Sequence, residues 1–278
     1  MAYDYKLLSV AIKGRVATVT IDNPPINVIT PPLYGELAAL AGELKADPNL
    51  TVVVLKSANS EFFLAHFDVS AILTFPTDQP AERDGELNPY HVMCERFRTM
   101  DKVTIAQIEG RVGGGGSELA ASCDMRFGVR GRTVINQMEV PLGILPGGTG
   151  TQRLPRLVGR GRAMEIVLGG DDLDAVTAER WGYLNRIFEA DEIDGWVQTL
   201  AQRIASFPVE AVRLAKASVD GAEQPIEEGL RDEAYLFQRL LRTEGAQKNM
   251  RKFLEIGGQT RDGELKMGEL ARQLGEDD

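Results

Sequence analysis

The sequence predicts an α/β fold in which strands and helices alternate and are followed by a helical C-terminal part. Short β-branched runs such as Thr51–Leu55 alternate with stretches of helical spacing in the first half of the chain. From Thr149 onward, apolar residues recur at helical spacing through most of the sequence. Strands that alternate with helices are typical of layered folds built on parallel sheets.

A hairpin and a well-marked helix open the predicted fold. Apolar and polar residues alternate in Leu8–Ile12 and Val16–Ile21, on either side of a Lys-Gly turn, and this pattern predicts a β-hairpin. Thr30 followed by Pro31 is typical of a helix N-cap and the first helical position. The next strands and helix are predicted at Thr51–Leu55, His91–Met100, Val103–Ile108 and Met125–Val129.

Helical spacing dominates the C-terminal part of the chain. The predicted helices are Arg162–Leu168, Ala175–Trp181, Ile193–Ala205, Val209–Val219 and Ile226–Leu241. Two further segments carry weaker signals. The polar stretch Thr77–Pro89 predicts a mobile surface loop, and Glu264–Leu274, after a Gly-Gly pair, predicts a charged terminal helix.

The most specific local feature is a run of four glycines, Gly113–Gly116, between the strand Val103–Ile108 and a helix predicted from Ser117. Glycines let a ligand approach the backbone N–H groups closely. A helix N-terminus adds unpaired donors and a partial positive charge. The run therefore suits an anion, or an oxygen that becomes anionic during a reaction. The chain has neither the Gly-Lys-Ser/Thr ending of a P-loop nor the Gly-x-Gly-x-x-Gly spacing.

Composition excludes several classes of protein. The 278 residues include 31 basic and 41 acidic side chains, for a net charge of −10, which argues against nucleic acid or an anionic membrane as partner. Cys94 and Cys123 form no CxxC pair and no metal-ligand cluster is visible, so we expect neither disulfides nor a metal site. Without a membrane-spanning run or a signal-peptide core, we expect a cytoplasmic protein.

Three segments in register resemble the enoyl-CoA hydratase/isomerase (crotonase) superfamily: Ser57–Val69, Gly110–Arg126 and Asn136–Leu154. The likeness runs from about Leu8 to about Leu254. It implies a superhelix of repeated strand–strand–helix (ββα) turns, capped by C-terminal helices that mediate trimerisation, as a homotrimer or a dimer of trimers. The core with the CoA-thioester site would span residues 1–190. The C-terminal helical region would span 191–278, with an extra terminal helix from about 259.

The resemblance also implies a chemistry and its residues. The ligand would be a coenzyme A thioester, with CoA as part of the substrate and no prosthetic group. The backbone N–H groups of Phe67 and Gly115 would hold the thioester oxygen of an enolate-like intermediate. Glu118 and Glu139 match the two glutamates that hydratases of the family use as acid and base, which favours hydration of a 2-enoyl-CoA. The predicted substrate-binding residues are Ala65, His66, Asp68, Gly114, Leu142 and Gly143.

Two departures from the family pattern leave alternatives open. His66 stands where the pattern Ala-Gly-x-Asp has glycine, so either the loop is shifted or the imidazole lies near the acyl group. Ser70 stands where many relatives carry a lysine near the CoA phosphates. Other reactions on this scaffold are double-bond isomerisation, C–C cleavage and thioester hydrolysis. A non-catalytic CoA-ester binding protein is the alternative from another class. Met93, Phe97 and Cys123 are predicted to be core residues.

Overall fold

Consecutive strands of this chain enter two different sheets, and this alternation organises the fold. The computed structural model describes residues 3–77, 80, 86–257, 259–260, 270–271 and 273–274. Within these residues, ten strands form one sheet of six strands and one of four.

The larger sheet is parallel except for its first strand, in the order β1-β2-β3-β5-β7-β10. Its strands are β1 (Leu8–Lys13), β2 (Val16–Ile21), β3 (Val52–Ser57), β5 (Val103–Ile108), β7 (Met125–Val129) and β10 (Arg186–Phe188). The predicted hairpin is confirmed as the antiparallel pair β1–β2. Residues Val52–Leu55 of β3 are all buried, as expected for a parallel strand covered on both faces.

Each central strand of the larger sheet is followed in sequence by a strand of the smaller sheet. The smaller sheet consists of β4 (Phe62–Leu64), β6 (Arg111–Gly113), β8 (Val134–Asn136) and β9 (Leu173–Asp174). The chain passes from β3 to β4, from β5 to β6 and from β7 to β8, and each pair of strands is followed by helical structure. The predicted α/β fold of repeated ββα turns is therefore confirmed.

Helices fill the spaces between and beyond the sheets. They are α1 (Pro31–Ala46), α2 (Val69–Ile72), α3 (Pro89–Thr99), α4 (Gly114–Ala121), α5 (Gly150–Val158), α6 (Arg160–Gly169), α7 (Ala175–Trp181), α8 (Ile193–Ala205), α9 (Val209–Asp220), α10 (Ile226–Leu241) and α11 (Glu244–Glu255). Short 3₁₀ turns occur at Val140–Leu142 and Gly221–Glu223. Thr30 caps α1 as predicted, since its side chain accepts from Leu33 N.

Several helices differ from the sequence prediction, and three of them have a local explanation. Helix α3 begins at Pro89, not His91, because Asn88 caps it by accepting from His91 N. Helix α5 was not predicted: it begins within a glycine-rich stretch and contains Pro155, and both features normally mark the end of a helix. Helix α4 begins at Gly114 and not at Ser117, so most of the glycine run belongs to its first turn.

Close packing explains part of that glycine run. A Cβ on Gly116 would lie 2.5 Å from Cβ and from the carbonyl oxygen of Leu64 in β4. A Cβ on Gly113 would lie 2.6 Å from the carbonyl oxygen of Ala65. These two glycines let the start of α4 lie directly against the end of β4. The approach brings the backbone around residue 67 next to the first turn of α4.

The core lies on both faces of the larger sheet. On one face, the buried leucines of α1 (Leu33, Leu37, Leu40 and Leu44) pack in one cluster with Phe97, Met93 and Cys123, which confirms those three as core residues. On the other face, α8 covers β5 and β7, and the ring of Trp196 lies 4.8 Å from Phe127 and 4.7 Å from Phe188.

Several predictions from sequence fall outside the described residues. Most of the loop predicted at Thr77–Pro89 and most of the terminal helix predicted from about 259 lie there. The division into 1–190 and 191–278 stays a prediction. Among the described helices, none is both long and apolar enough to cross a membrane.

We expect Gly116→Ala to destabilise the fold, because the added Cβ would clash with the backbone of β4 rather than with a flexible side chain. Overpacking of this kind costs about 1–3 kcal/mol. The measurement is the free energy of unfolding in denaturant. Gly35→Ala is the matched control, since Gly35 also lies in a helix and a Cβ there meets nothing within 4 Å. A loss of stability in Gly35→Ala as large as in Gly116→Ala would contradict this explanation.

Candidate active site

A cavity of about 580 Å³ opens between the start of α4, the end of β4 and the 3₁₀ turn at Val140–Leu142. It brings together seven of the ten site residues predicted from sequence: His66, Phe67, Gly114, Gly115, Glu118, Glu139 and Leu142. The other three do not line it, although each is adjacent in sequence to a residue that does. Of these, Asp68 caps α2 by accepting from Ser70 N at 2.9 Å, and Gly143 ends the 3₁₀ turn with a φ of 82°.

The Phe67 amide is oriented by a short β-bridge to Ile29. Ile29 N donates to the carbonyl oxygen of His66 at 2.8 Å, and Asp68 N donates to the carbonyl oxygen of Ile29 at 3.1 Å. Because the residues before and after Phe67 make both hydrogen bonds to Ile29, the N–H of Phe67 itself points to the opposite side of the strand. That side faces the first turn of α4.

The Gly115 amide lies beside it. A Cβ on Gly115 would be 3.2 Å from Phe67 Cβ and 3.5 Å from Phe67 N. Gly115 is in the first turn of α4, where N–H groups have no partner within the helix. Among the described residues, neither the Phe67 nor the Gly115 amide donates to another protein group. The cavity wall therefore carries two adjacent N–H donors that are available to a ligand.

Glu118 is held by the backbone of a distant loop. Its Oε1 accepts hydrogen bonds from Gly148 N at 2.8 Å, Thr149 N at 2.9 Å and Gly150 N at 2.7 Å. A Cβ on Gly148 would lie 2.3 Å from Glu118 Oε2, and one on Gly150 would lie 3.0 Å from Oε1. The loop must therefore be glycine at these two positions to wrap the carboxylate so closely.

The two carboxyl groups have different electrostatic surroundings. Burial raises the pKa of Glu118, while the three N–H donors act in the opposite direction by stabilising the charged form. Burial, followed by the negative charge of Glu118, raises the pKa of Glu139 to about 7. With its amide oriented to satisfy its neighbours, Gln137 holds the Glu139 carboxyl through contacts of 3.2 and 3.0 Å. Both carboxyl groups thus have pKa values above the ordinary value for glutamate, and only at Glu118 do three N–H donors oppose that rise.

The structure also resolves how histidine fits at position 66. His66 has no positive φ, so the loop accommodates it without a left-handed backbone. Its Nδ1 donates to the carbonyl oxygen of Phe67 at 2.8 Å, because a carbonyl can only accept. The imidazole lines the cavity, and a Cβ on Gly114 would lie 3.1 Å from His66 Cβ and 3.0 Å from Glu139 Oε1. The imidazole thus lines the cavity with an ordinary backbone angle, and its place near an acyl group stays a prediction.

Sequence reasoning missed two residues of α3 that contact the site. The Tyr90 hydroxyl donates to the carbonyl oxygen of Gly115 at 2.7 Å, and its ring stacks on Tyr34 and meets Phe67 edge-on. The second residue is His91, whose Nε2 is 2.7 Å from the carbonyl oxygen of Gly147. Neither belongs to a motif, so only the fold could reveal them.

The rest of the cavity wall is mostly apolar. Pro31, Val69, Ile72, Phe75, Met138, Ile144 and Leu145 contribute to it. The described lining residues include no Lys, Arg or Asp. Within the part of the chain that the structure describes, no cluster of three or more His, Cys, Asp or Glu side chains could hold a metal ion.

A spiral of ββα turns with two N–H donors and two carboxyl groups in one cavity defines a class of enzyme folds, and comparison with known proteins identifies the family. The family model described as enoyl-CoA hydratase/isomerase matches residues 11–260. The chain is 32% identical to the crotonyl-CoA hydratase of Syntrophomonas wolfei, over 92% of this chain and 96% of that protein. It is also 32% identical to the short-chain-enoyl-CoA hydratase of Clostridium acetobutylicum, over 87% of this chain and 92% of that one.

A solved structure agrees with this assignment. The enoyl-CoA hydratase of Bacillus anthracis superimposes with a TM-score of 0.82 at 26% identity, over 90% of this chain and 96% of that one. The chain belongs to the enoyl-CoA hydratase/isomerase family of enzymes.

We expect Glu118→Gln to lower the pKa of Glu139, because the substitution removes the negative charge that helps to raise it to about 7. Burial remains, so that pKa stays above the ordinary value for glutamate. The measurement is an infrared titration of protein carrying ¹³C-labelled glutamate, with Glu139→Gln used to assign the signal. An unchanged pKa in Glu118→Gln would contradict the coupling.

Proposed function

We propose that this enzyme hydrates the double bond of a 2-enoyl-CoA. The observation that carries the proposal is the pair of carboxyl groups in one cavity, one that accepts three backbone N–H groups and one with a pKa raised to about 7, beside two available N–H donors. Addition of water to a conjugated thioester needs a base, an acid and a site for negative charge. Most other positions of the cavity are apolar.

In the proposed reaction, the thioester oxygen accepts the N–H groups of Phe67 and Gly115. The Glu118 carboxylate takes a proton from water as the water oxygen forms a bond to C3. Electrons of the C2–C3 double bond move toward the thioester oxygen and give an enolate, which the two N–H donors stabilise. Glu139 then gives its proton to C2. The product is a 3-hydroxyacyl-CoA, and transfer of the proton from Glu118 to Glu139 restores the starting state.

The apolar wall supports a neutral, apolar acyl group. It lies beyond the two glutamates, and Leu142, Ile144 and Leu145 form its partly exposed rim. Because no Lys or Arg is among the described lining residues, we place the CoA phosphates outside this cavity. Coenzyme A is thus part of the substrate, and the proposed reaction uses no prosthetic group.

Double-bond isomerisation is the second candidate. Isomerisation requires only one carboxyl group, which moves a proton between C4 and C2. Glu139 is such a group in the cavity. The three N–H donors on Glu118 favour hydration, since they stabilise the charged form of a second carboxyl group that can act as the base. His66 has no positive φ, and the ring of Phe67 packs edge-on against Tyr90. Both observations favour an active enzyme over a binding protein with a disrupted oxyanion site.

We expect Glu118→Gln and Glu139→Gln each to lower kcat for 2-enoyl-CoA hydration by about 10²–10⁴-fold. The assay follows loss of the conjugated thioester absorbance, with the water adduct identified by mass spectrometry. Glu165→Gln, an exposed glutamate of α6, is the matched control. Full activity in either active-site variant would contradict the assignment, and a product of unchanged mass would indicate isomerisation instead.

The pKa shifts of the two glutamates predict how kcat depends on pH. The acid Glu139 must be protonated, and its pKa is raised to about 7, so we expect kcat to fall as the pH rises above 7. The base Glu118 must be ionised, so kcat also falls in acid. A bell-shaped profile of kcat against pH is therefore predicted. A rate that keeps rising well above pH 7 would contradict the role of Glu139.

An acyl chain that ends in a carboxylate should be a poor substrate. Burying that charge in the apolar wall near Glu118 costs several kcal/mol, which corresponds to a kcat/KM lower by about 10²-fold or more. The comparison is 2-octenoyl-CoA against the 2-enoyl-CoA of equal length with a terminal carboxylate. Equal kcat/KM values would show that the acyl group lies elsewhere.

We also propose that the enzyme assembles as a homotrimer or a dimer of trimers. Exposed apolar side chains on the C-terminal helices support this proposal, among them Val219, Leu230, Tyr235, Phe237 and Leu254, each more than half exposed in the single chain. Light scattering coupled to size-exclusion chromatography should give a mass of three or six chains. A monomer mass would contradict the proposal.

A further inference from the structure

The loop that holds Glu118 is itself held by a side chain of another element. We call Gly147–Gly150 the amide loop, because the N–H groups of its last three residues converge on Glu118 Oε1. A loop with three glycines in four positions has little conformational preference of its own. Some contact outside the loop must therefore fix the direction of its peptide groups.

His91 makes such a contact. Its Nε2 lies 2.7 Å from the carbonyl oxygen of Gly147, and since the carbonyl is only an acceptor, Nε2 carries the hydrogen. The Gly147 carbonyl and the Gly148 N–H belong to one peptide group. One end of that peptide accepts from His91, and the other end donates to Glu118 at 2.8 Å.

The geometry points to His91 as a positioning residue: its Nε2–H fixes the Gly147–Gly148 peptide so that the amide loop holds Glu118 in the orientation of a general base. The inference rests on the proposed function of Glu118. His91 does not line the cavity and acts through the peptide. A hydrogen bond to the carbonyl also polarises the peptide and strengthens its N–H as a donor.

The start of α3 is well suited to this task. Asn88 caps the helix by accepting from His91 N at 2.8 Å. The preceding residue, Tyr90, donates to the carbonyl oxygen of Gly115 at 2.7 Å. Two consecutive side chains of α3 therefore connect this helix to the two backbone segments that build the site.

Loss of the His91 donor should change both the rate and its pH dependence. A freed Gly148 peptide removes N–H donation from the charged form of Glu118, so the pKa of Glu118 rises and the acidic limb of the kcat profile moves to higher pH. The titratable groups that act electrostatically around Glu118 are Glu139 beside the 3₁₀ turn, Tyr90, His91 and Cys94 of α3, and Tyr183. Only His91 is altered in the test.

The test compares His91→Leu, which removes the donor, with His91→Gln, whose amide N–H can replace Nε2–H. We expect His91→Leu to lower kcat about 10-fold, as for loss of one hydrogen bond, with KM changed less than about 2-fold, and to shift the acidic limb upward. His91→Gln should restore kcat and the profile to within about 3-fold of the wild type. Wild-type behaviour of His91→Leu, or equal losses in both variants, would overturn the inference.

A second readout separates this inference from the proposed function. If the wild type hydrates no 2-enoyl-CoA, the function is wrong, but the contact can still be tested without turnover. Infrared titration of ¹³C-glutamate protein, with Glu118→Gln to assign the signal, should show a higher pKa of Glu118 in His91→Leu than in wild type and His91→Gln. Equal values in all three proteins would overturn the inference. Thermal unfolding of both variants checks that they remain folded.

Discussion

The active site depends on three consecutive backbone N–H groups that converge on one oxygen of Glu118. A carboxyl group this deeply buried would ordinarily give up its charge, and the amide loop opposes that tendency. The loop can approach only because positions 148 and 150 are glycine, since a Cβ at either would meet the carboxylate within 3.0 Å. Fixed backbone dipoles thus favour the charged form of a carboxyl group inside a largely apolar cavity.

This one charge has consequences for its neighbours. The charge of ionised Glu118 adds to burial in raising the pKa of Glu139 to about 7, whereas three N–H donors favour the charged form of Glu118 itself. Such a division of roles by environment is a general way to place an acid and a base in one site. The alternation of the chain between two sheets positions the N–H donors. It brings the end of β4 against the first turn of α4 and sets the Phe67 and Gly115 amides side by side.

Much of the fold could be predicted from sequence, and the exceptions have physical causes. Strands β5 and β7 and helices α7 and α8 have the predicted bounds, because their patterns are local and periodic. The start of α4 was missed because glycine disfavours helix, whereas packing of Gly116 on Leu64 imposes one. Glu118 and Glu139 could be proposed only through the family motifs. The contact of His91 with Gly147 spans 56 residues and leaves no pattern in the sequence.

In the proposed mechanism, Glu118 activates water while Glu139 moves the proton at C2. The most direct measurement is exchange of the C2 hydrogens of a saturated acyl-CoA with D₂O, followed by mass spectrometry at a pH above the pKa of Glu139. No water adds in this reaction, so it isolates the C2 step. The account predicts that Glu118→Gln retains exchange and Glu139→Gln loses it. Exchange that is lost in Glu118→Gln but kept in Glu139→Gln would contradict the account.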